Sequence, residues 1–304
     1  MPWTINLYSV RLTATCLYQT MKKTEMKLFS RINLFALMLA LISSQAVACT
    51  LWAVAGPEAN GGTLVSKNRD WKPDHTQKLK LVRSKRGFDY FGLYAEGNDE
   101  PGLKAGVNEK GLTIVSASVN LPKKALEDQP GKRGVMSRIM ESYASVDALS
   151  EDADQVFSSA RASYFVVADS RKVLVAEVGL EGKYSVRVLE NGVATHTNHY
   201  LDPELATLYN NKVGSSSATR LTRINELLAN GSRPFSSAQF AEISRDRNDG
   251  PDNSLWRSGK SRTMASWIME SPASGVPRLR VVIANPDEAE SVQEFVLDEA
   301  FWKR

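Results

Sequence analysis

Cysteine and histidine are scarce in this sequence of 304 residues, which has two cysteines, Cys16 and Cys49, and three histidines, His75, His196 and His199. Cys16 precedes an apolar segment near the N-terminus and Cys49 follows it. A chain that loses this segment therefore keeps a single thiol and has no internal disulfide. A zinc site is also disfavoured, because histidines at i, i+3 in a β-like segment point to opposite faces and no cysteine accompanies them.

An excess of one charge is missing from most of the chain. Five of the 38 basic residues and one of the 34 acidic residues lie in the first 48 positions, so the remainder has 33 of each sign and the net charge of +4 belongs to the N-terminal segment. Nucleic-acid binding is therefore not expected, since it depends on an excess of Lys and Arg. With 42% hydrophobic and 24% charged residues, the composition is that of a globular protein and excludes general disorder.

A hydrophobic run long enough to span a membrane is missing as well. The apolar stretch at 34–42 is much shorter than the roughly 20 residues that a stable span needs. Basic residues precede it and Ala46-Val47-Ala48 follows it, which is the pattern of a secretory signal cleaved after Ala48. We predict a leader over residues 1–48, a periplasmic or secreted protein, and a start at Met21 or Met26, with 1–25 as a start-site extension.

Cleavage after Ala48 makes Cys49 the first residue of the mature chain, and this has two interpretations. In a lipoprotein the sulfur of Cys49 is lipidated and its amine is usually acylated, so the chain becomes a membrane-tethered binding or structural module. The usual lipoprotein signal prefers Leu three residues before the cysteine, where this sequence has Ala46. In the second interpretation Cys49 is a free catalytic nucleophile.

A Gly-rich phosphate loop and strict βαβ alternation are also missing, which excludes a doubly wound nucleotide-binding sheet. Residues 49–304 have no linker, so we predict one α+β domain of two antiparallel sheets with helices outside them. Strands are predicted at 51–55, 63–66, 78–83, 90–94, 112–119, 164–168, 173–178, 184–189, 193–197, 263–269, 278–284 and 294–297. Helices are predicted at 135–143, 148–160, 219–228 and 237–244.

The chemistry of an N-terminal cysteine needs no histidine. A thiol with a pKa near 8.5 can transfer its proton to its own α-amine, whose pKa is about 7.7, so the residue carries its own general base. A nearby carboxylate such as Asp70 can orient the amine. A side-chain amide such as Asn198 can donate to a developing oxyanion, which is worth about 3–4 kcal/mol in comparable systems. Alternatively, Asp70 belongs to a turn at the end of a strand, because Pro73 follows closely.

Five motifs in this order resemble the N-terminal-nucleophile (Ntn) cysteine hydrolases of the linear amide group, which includes penicillin V acylases, choloylglycine hydrolases and acyl-CoA:isopenicillin N acyltransferases. The motifs are Cys49-Thr50, Lys67-Asn68-Arg69-Asp70-Trp71, Gly106-Val107-Asn108-Glu109-Lys110-Gly111-Leu112, Ala194-Thr195-His196-Thr197-Asn198-His199-Tyr200 and Ser216-Ser217-Ala218-Thr219-Arg220. The resemblance covers nearly all of 49–304 and implies a four-layer αββα sandwich.

The resemblance also implies a role for individual residues. Cys49 matches the nucleophile, Asp70 the residue that holds its α-amine, Asn198 the oxyanion-hole asparagine and Arg220 the active-site arginine. Lys67 stands where bile salt hydrolases often have arginine, and lysine lacks the planar fork of arginine. Arg220 has the alternative of a surface residue that pairs with a carboxylate.

The family has a further asparagine after the Asn-Glu-Lys-Gly-Leu strand. Direct alignment places Ser118 there, whereas Asn120 lies two residues further on and on the same face of a strand. We predict Asn120 as the fifth site residue, with Ser118 as the alternative.

Together these features predict a hydrolase of non-peptide linear amides that acts through a Cys49 thioester and needs neither a cofactor nor a metal. An acyltransferase of the same fold and an anchored lipoprotein module are the alternatives. The partner is a small acyl amide, and penicillin V, conjugated bile salts, N-acyl homoserine lactones and N-acyl amino acids all remain open. The resemblance favours a homo-oligomer, either a tetramer or a dimer.

Overall fold

Two antiparallel sheets form the centre of the computed structural model, which describes residues 49–97, 101–131, 133–210 and 212–304. In chain order the strands are β1 (Thr50–Ala55), β2 (Thr63–Trp71), β3 (Thr76–Val82), β4 (Tyr90–Glu96), β5 (Gly102–Asn108), β6 (Thr113–Ala117), β7 (Ser163–Ala168), β8 (Val173–Val178), β9 (Tyr184–Leu189), β10 (Gly192–His196), β11 (Arg262–Ser271), β12 (Arg278–Ile283) and β13 (Ser291–Val296). The first sheet has the order β10-β1-β2-β11-β12-β13, and the second runs from β3 to β9 in sequence order.

Helices cover the outer faces of both sheets. In chain order they are α1 (Lys123–Asp128), α2 (Val135–Ser142), α3 (Val146–Glu151), α4 (Ala153–Phe157), α5 (Pro203–Leu208), α6 (Ser215–Asn230), α7 (Ser237–Ser244), α8 (Gly250–Asn253) and α9 (Glu299–Trp302). Ser236 begins α7 with a capping box, in which its hydroxyl accepts from the Gln239 backbone and the Gln239 side chain accepts in return.

Three apolar layers hold the sandwich together. The central layer lies between the sheets and includes Leu51, Ala53, Val115 and Val166. The layer outside the first sheet packs alternate residues of β1 and β2 against α6 and α7, and its members include Trp52, Val54, Leu64, Ile224 and Phe240. The layer outside the second sheet packs β6, β7 and β8 against α2, α3 and α4, and includes Ile114, Phe165, Ile139, Leu149 and Phe157.

Strand β1 shows why a strand in this architecture is buried along its whole length. All six of its residues are buried, because odd positions enter the central layer and even positions the outer one. An antiparallel sheet with one wet face would instead show a polar alternation. This arrangement is the αββα sandwich predicted above, and the predicted fold class is confirmed.

Several boundaries differ from the sequence prediction. Strand β2 extends to Trp71, five residues past its predicted end at 66, and Asp70 lies inside it rather than in a turn. The predicted helix at 148–160 is two short helices that meet at Asp152. Strand β5 was not predicted, since its two glycines, Gly102 and Gly106, weaken the strand pattern.

The described residues from Cys49 onward belong to one compact unit, Ala46–Arg304. The predicted leader over 1–48 lies outside the described residues, and so does Cys16. Among the residues that the structure describes, none of the helices is both long and apolar enough to cross a bilayer.

Candidate active site

Cys49 lies directly before β1, at the end of the central layer, and is 1% exposed. Its backbone nitrogen donates to Asn198 Oδ1 at 3.1 Å. Its thiol Sγ lies 4.0 Å from the backbone carbonyl oxygen of Asp70. Segments that are 21 and 149 residues away in sequence therefore meet at this one residue.

Arg220 fixes the backbone of Cys49 from the helical side. It lies in the second turn of α6 and is fully buried. Its Nη1 donates to the Cys49 carbonyl at 2.7 Å and to Thr50 Oγ1 at 2.8 Å, and its Nη2 donates to Asn198 Oδ1 at 3.0 Å. Burial lowers the pKa of this guanidinium to about 10. The alternative of a surface arginine is therefore wrong.

Asn198 joins Cys49 to two other segments. Its Oδ1 accepts from both Cys49 and Arg220, and its Nδ2 donates to the Ser118 carbonyl at 2.8 Å. Its backbone N–H donates to Ser217 Oγ at 2.9 Å, which ties the segment after β10 to the start of α6. An amide group has two N–H donors, so one Nδ2 hydrogen remains beyond the bond to Ser118.

Asp70 is fully buried on the helix-facing side of β2. Its Oδ1 accepts from Thr263 Oγ1 at 2.7 Å, on the neighbouring strand β11, whereas its Oδ2 has no hydrogen-bond partner among the described residues. Burial raises the pKa of this carboxyl to about 6, although Arg257 and Arg220 act in the opposite direction. The Cys49 nitrogen donates to Asn198 and not to Asp70.

Lys67 and Arg69 place positive charge beside the thiol. Lys67 is 1% exposed, and its ammonium donates to the carbonyls of Lys104 at 2.8 Å and of Ser116. Burial alone raises the pKa of the Cys49 thiol, but Lys67 and then Arg69 more than offset this, and the net direction is downward. Burial in turn lowers the pKa of Lys67 to about 8. The two positive charges therefore favour the thiolate more than burial alone would allow.

The structure does not bring Asn120 into this cluster. Strand β6 ends at Ala117, so the alternation that placed Asn120 and Ser118 on one face no longer applies. The Asn120 side chain is exposed, and its Nδ2 donates to the Lys212 carbonyl at 3.0 Å. Ser118 reaches the site through its backbone carbonyl alone.

His196 and His199 have different contacts, but the strand alternation predicted for them does not apply, because β10 ends at His196. His196 stacks on Tyr164 at 4.1 Å and its Nε2 lies 3.4 Å from Glu177 Oε1, whereas His199 Nδ1 lies 2.8 Å from Ser217 Oγ. Burial lowers the pKa of His199. Within the described ranges, no group of three His, Cys, Asp or Glu side chains is arranged to hold a metal ion.

Sequence reasoning missed three contributors to the site. Ser217 accepts from the Asn198 backbone, Thr263 donates to Asp70, and Arg257 is a buried arginine close to Asp70. Ser217 belongs to a motif quoted above, but no role was assigned to it, and Thr263 is a common residue type for which the sequence carries no signal. Arg257 follows Trp256 in a loop, and only the folded chain shows that it is buried, with 6% of its surface exposed.

Two antiparallel sheets between helical layers, with the cysteine cluster at the start of a central strand, define an Ntn-hydrolase fold. The chain belongs to the acyl-coenzyme A:6-aminopenicillanic acid acyl-transferase family, whose sequence model matches residues 58–286. No curated protein sequence gave a match. The match begins nine residues after Cys49, so Cys49 itself lies outside it.

Solved structures share the fold at low sequence identity. Two variants of the conjugated bile acid hydrolase from Clostridium perfringens align with a TM-score of 0.52, at 14% and 15% identity, over 82% of this chain and 92% of theirs. The Caenorhabditis elegans ortholog of N-acylethanolamine-hydrolyzing acid amidase aligns with a TM-score of 0.51 at 16% identity, over 74% of this chain and 94% of that chain. Family and fold together support an Ntn-type amide hydrolase or acyltransferase.

Proposed function

We propose that this protein hydrolyses non-peptide linear amides and that Cys49, as the first residue of the processed chain, is the nucleophile. The observation that carries the proposal is the convergence on Cys49: Asn198 binds its nitrogen, Arg220 binds its carbonyl, and the thiol lies beside Lys67 and Arg69. A buried structural cysteine needs none of these polar contacts.

The proposed reaction has two halves. In the first, Cys49 Sγ attacks the amide carbonyl, the C–S bond forms, and the C–N bond breaks as the amine leaves with a proton from the Cys49 ammonium. In the second, a water attacks the thioester, the α-amine accepts its proton, and the C–S bond breaks to release the acid. The reaction consumes one water, and Cys49 returns to its starting state.

Asn198 and Asp70 have different roles in the proposed reaction, the first at the oxyanion and the second at the amine. The remaining N–H of Asn198 Nδ2 is the proposed oxyanion donor, because its other groups are already engaged with Cys49, Arg220 and Ser118. After processing, the Cys49 nitrogen gains N–H donors, and Asp70 Oδ2 is the buried acceptor without a partner among the described residues. The carboxylate then orients the amine, the role that the family resemblance assigns to it.

Acyl transfer is the second candidate, and the family match favours it. The matched family is described as an acyl-transferase that uses acyl-coenzyme A, whereas the bile acid hydrolase and the acid amidase are named as hydrolases. Both reactions share the Cys49 thioester and differ in whether water or an amine resolves it. Assaying each amide with and without an added amine acceptor separates them, because transfer produces a new amide and hydrolysis produces only the acid.

The leader and the location of the protein are part of the same proposal. A chain exported through the signal at 26–48 and cut after Ala48 has the free α-amine that the mechanism needs. Intact-mass analysis of the exported protein should give unmodified residues 49–304. A mass increased by acyl chains would overturn the hydrolase and support the anchored module, because an acylated amine is no longer a base.

The reaction is tested by a panel of acyl amides assayed for amine release. The panel pairs each acyl group with a charged and an uncharged amine, and the Cys49→Ala variant is the matched blank. Release by the native protein and not by the variant supports the proposal, and the active members identify the acyl group and amine. No release from any member, by protein of the correct mass, would overturn it.

The dependence on a free amine is tested with a chain that keeps one residue before Cys49. This form retains the thiol but replaces the amine by an amide, which is not a base. We expect it to be nearly inactive, although a thiol reagent should still detect the Cys49 thiol. Equal turnover of the two forms would rule out the N-terminal-nucleophile mechanism.

A further inference from the structure

Arg257 is a buried arginine whose guanidinium forms no ion pair with a carboxylate within the part of the chain that the structure describes. Its Nε and Nη1 are buried without a hydrogen-bond partner among the described residues. Buried guanidinium groups normally have their donors satisfied, and leaving one without a partner costs free energy. A buried charge in this condition needs an explanation in the function or in a nearby opposite charge.

The loop that carries Arg257 is held at three successive residues. Asn68 of β2 donates to the Leu255 carbonyl at 2.7 Å. The Trp256 backbone donates to the Asp246 carbonyl at 2.9 Å. Arg257 itself exchanges two bonds with Thr263, donating its backbone N–H to Thr263 Oγ1 at 2.8 Å and accepting from the Thr263 backbone at 3.1 Å. The position of Arg257 is thus fixed independently of its guanidinium.

The same Thr263 hydroxyl leads directly to Asp70. Thr263 Oγ1 accepts from the Arg257 backbone and donates to Asp70 Oδ1 at 2.7 Å. Thr263 and Asp70 face each other in the register of β11 and β2. The second carboxylate oxygen, Oδ2, is buried and without a partner in the described part of the chain. A buried carboxylate with one open oxygen and a buried guanidinium with open donors therefore share one small region.

Among the described residues, three cations act on the Asp70 carboxyl. Arg69 is adjacent in β2, Arg220 approaches from α6, and Arg257 approaches from the loop before β11. Lys67 and the Cys49 thiol lie on the other face of β2. Arg220 is already committed to Cys49, Thr50 and Asn198. Arg257 is the nearby cation whose side chain has no such commitment.

We propose that Arg257 is a positioning residue of this site, whose guanidinium keeps the Asp70 carboxylate ionised through space while the Thr263 hydroxyl fixes its orientation. The inference rests on the proposed function only for the role of Asp70 in the reaction, since the effect of the Arg257 charge on the Asp70 carboxyl requires no substrate. Among the charges acting on Asp70, Arg257 is the largest opponent of the effect of burial. Without it, the carboxyl is protonated over more of the neutral range and cannot hold an ammonium.

The test is a direct titration of Asp70 that requires no substrate. Carboxyl carbons of aspartate are labelled with ¹³C in the purified protein, and the Asp70 signal is assigned by its absence in Asp70→Asn. We expect the pKa of Asp70 to rise by about one unit or more in Arg257→Met, which keeps the hydrocarbon stem, and in Arg257→Gln, which keeps a polar end. Arg257→Lys should stay close to the wild type.

Arg262→Gln is the matched control, because it removes an exposed arginine five residues away in the same segment. It should leave the Asp70 titration unchanged. If a folded Arg257→Met or Arg257→Gln protein gave the wild-type pKa for Asp70, the proposal would be overturned. This outcome is distinct from failure of the proposed function, which appears as absent amine release in the wild type.

Activity adds a second readout where a substrate has been identified. Loss of Arg257 should move the acid limb of kcat/KM to higher pH, so that a rise of about one unit lowers activity about fivefold at about pH 6 and about tenfold at lower pH, with recovery at higher pH. A purely structural role would lower activity equally at all pH values. In the Asp70→Asn background, the added Arg257→Met change should no longer move the profile.

Discussion

The two faces of β2 carry different parts of the candidate chemistry. Lys67 points toward the second sheet, where it binds the carbonyls of Lys104 and Ser116, and its charge acts on the thiol. Asn68 and Asp70 point toward the helices, where Asn68 binds the Ser244 carbonyl and Asp70 binds Thr263. One strand thus separates Lys67, whose charge acts on the sulfur, from Asp70, the carboxylate proposed to orient the amine.

This separation matters because both groups belong to the same residue. A thiol is a better nucleophile as thiolate, which positive charge favours, whereas an ammonium is held by negative charge. Under the proposed mechanism, Lys67 on one face of β2 and the Asp70 carboxylate on the other both act on Cys49, with the strand between them. The comparison predicts that variants on the two faces have distinguishable signatures.

The largest effect should follow from replacing the Cys49 sulfur. Cys49→Ser leaves the amine and all its contacts but replaces the thiol with a hydroxyl that the nearby cations cannot ionise at neutral pH. We expect amide turnover to fall on the order of 10⁴-fold or more, measured by amine release. Circular dichroism should show an unchanged fold. Substantial turnover by this variant would place the nucleophile elsewhere.

The next effect concerns Asn198, which contacts Cys49 from outside β2. Asn198→Ala should lower turnover by roughly 10² to 10³, the usual cost of one lost oxyanion donor. Asn225→Ala is the control, since Asn225 is an exposed asparagine on α6 that accepts from Thr195 Oγ1. Near-wild-type turnover of Asn198→Ala would remove the oxyanion assignment and leave a backbone donor as the better candidate.

A smaller effect is expected for Lys67, the cation on the face of β2 that points toward the second sheet. Lys67→Met removes the cation that lowers the thiol pKa most strongly, so the pH profile of Cys49 alkylation by iodoacetamide should shift upward. The rate at neutral pH should then be lower. Lys78→Met, at an exposed lysine paired with Glu96, should not change the profile.

The same Lys67 variant has a second signature, in stability. Because the pKa of Lys67 is about 8 in the folded chain against 10.5 ordinarily, the unfolded chain binds its proton more tightly. The free energy of unfolding should therefore rise as pH increases from about 8 to about 10.5, by an amount on the order of 3 kcal/mol, with the penalty fully present below pH 8. Chemical denaturation of Lys67→Met should show no such rise; an identical pH dependence in both proteins would contradict the assignment.

The smallest effect is expected for the histidines. His196→Gln and His199→Gln should each change turnover less than tenfold, since the proposed base is the amine of Cys49 and neither ring contacts it within the described residues. Their hydrogen bonds to Thr197 and Ser217 are replaceable by an amide. A loss comparable to that of Asn198→Ala would reopen the search for a separate base.

The sequence predicted the layers of this fold well and one decisive strand poorly. Periodic apolar segments gave most strands and the helices at 135–143, 219–228 and 237–244 within a few residues. Strand β2 was predicted too short because Lys67, Arg69 and Asp70 resemble exposed residues, whereas all nine residues of the strand are buried. Charges buried for function break the pattern from which burial is inferred.

The predicted site residues differ in the sequence evidence from which they were predicted. Cys49, Asn198 and Arg220 converge in one hydrogen-bond network, and Asp70 lies next to it, although their chemical roles stay predictions. Asn120 depended on strand alternation past the end of β6, where the chain no longer follows it. Arg257 carried no local signal, because its proximity to Asp70 arises from the pairing of β2 with β11 across some 190 positions.

The hydrogen bond from Arg220 to the Cys49 carbonyl has a consequence for the order of binding and cleavage. That carbonyl lies on the C-terminal side of the residue, so cleavage before Cys49 leaves it and its 2.7 Å bond to Arg220 untouched. Under the proposed mechanism, Arg220 therefore holds the Cys49 carbonyl both before and after cleavage. Cleavage would then have to supply only the free α-amine of Cys49.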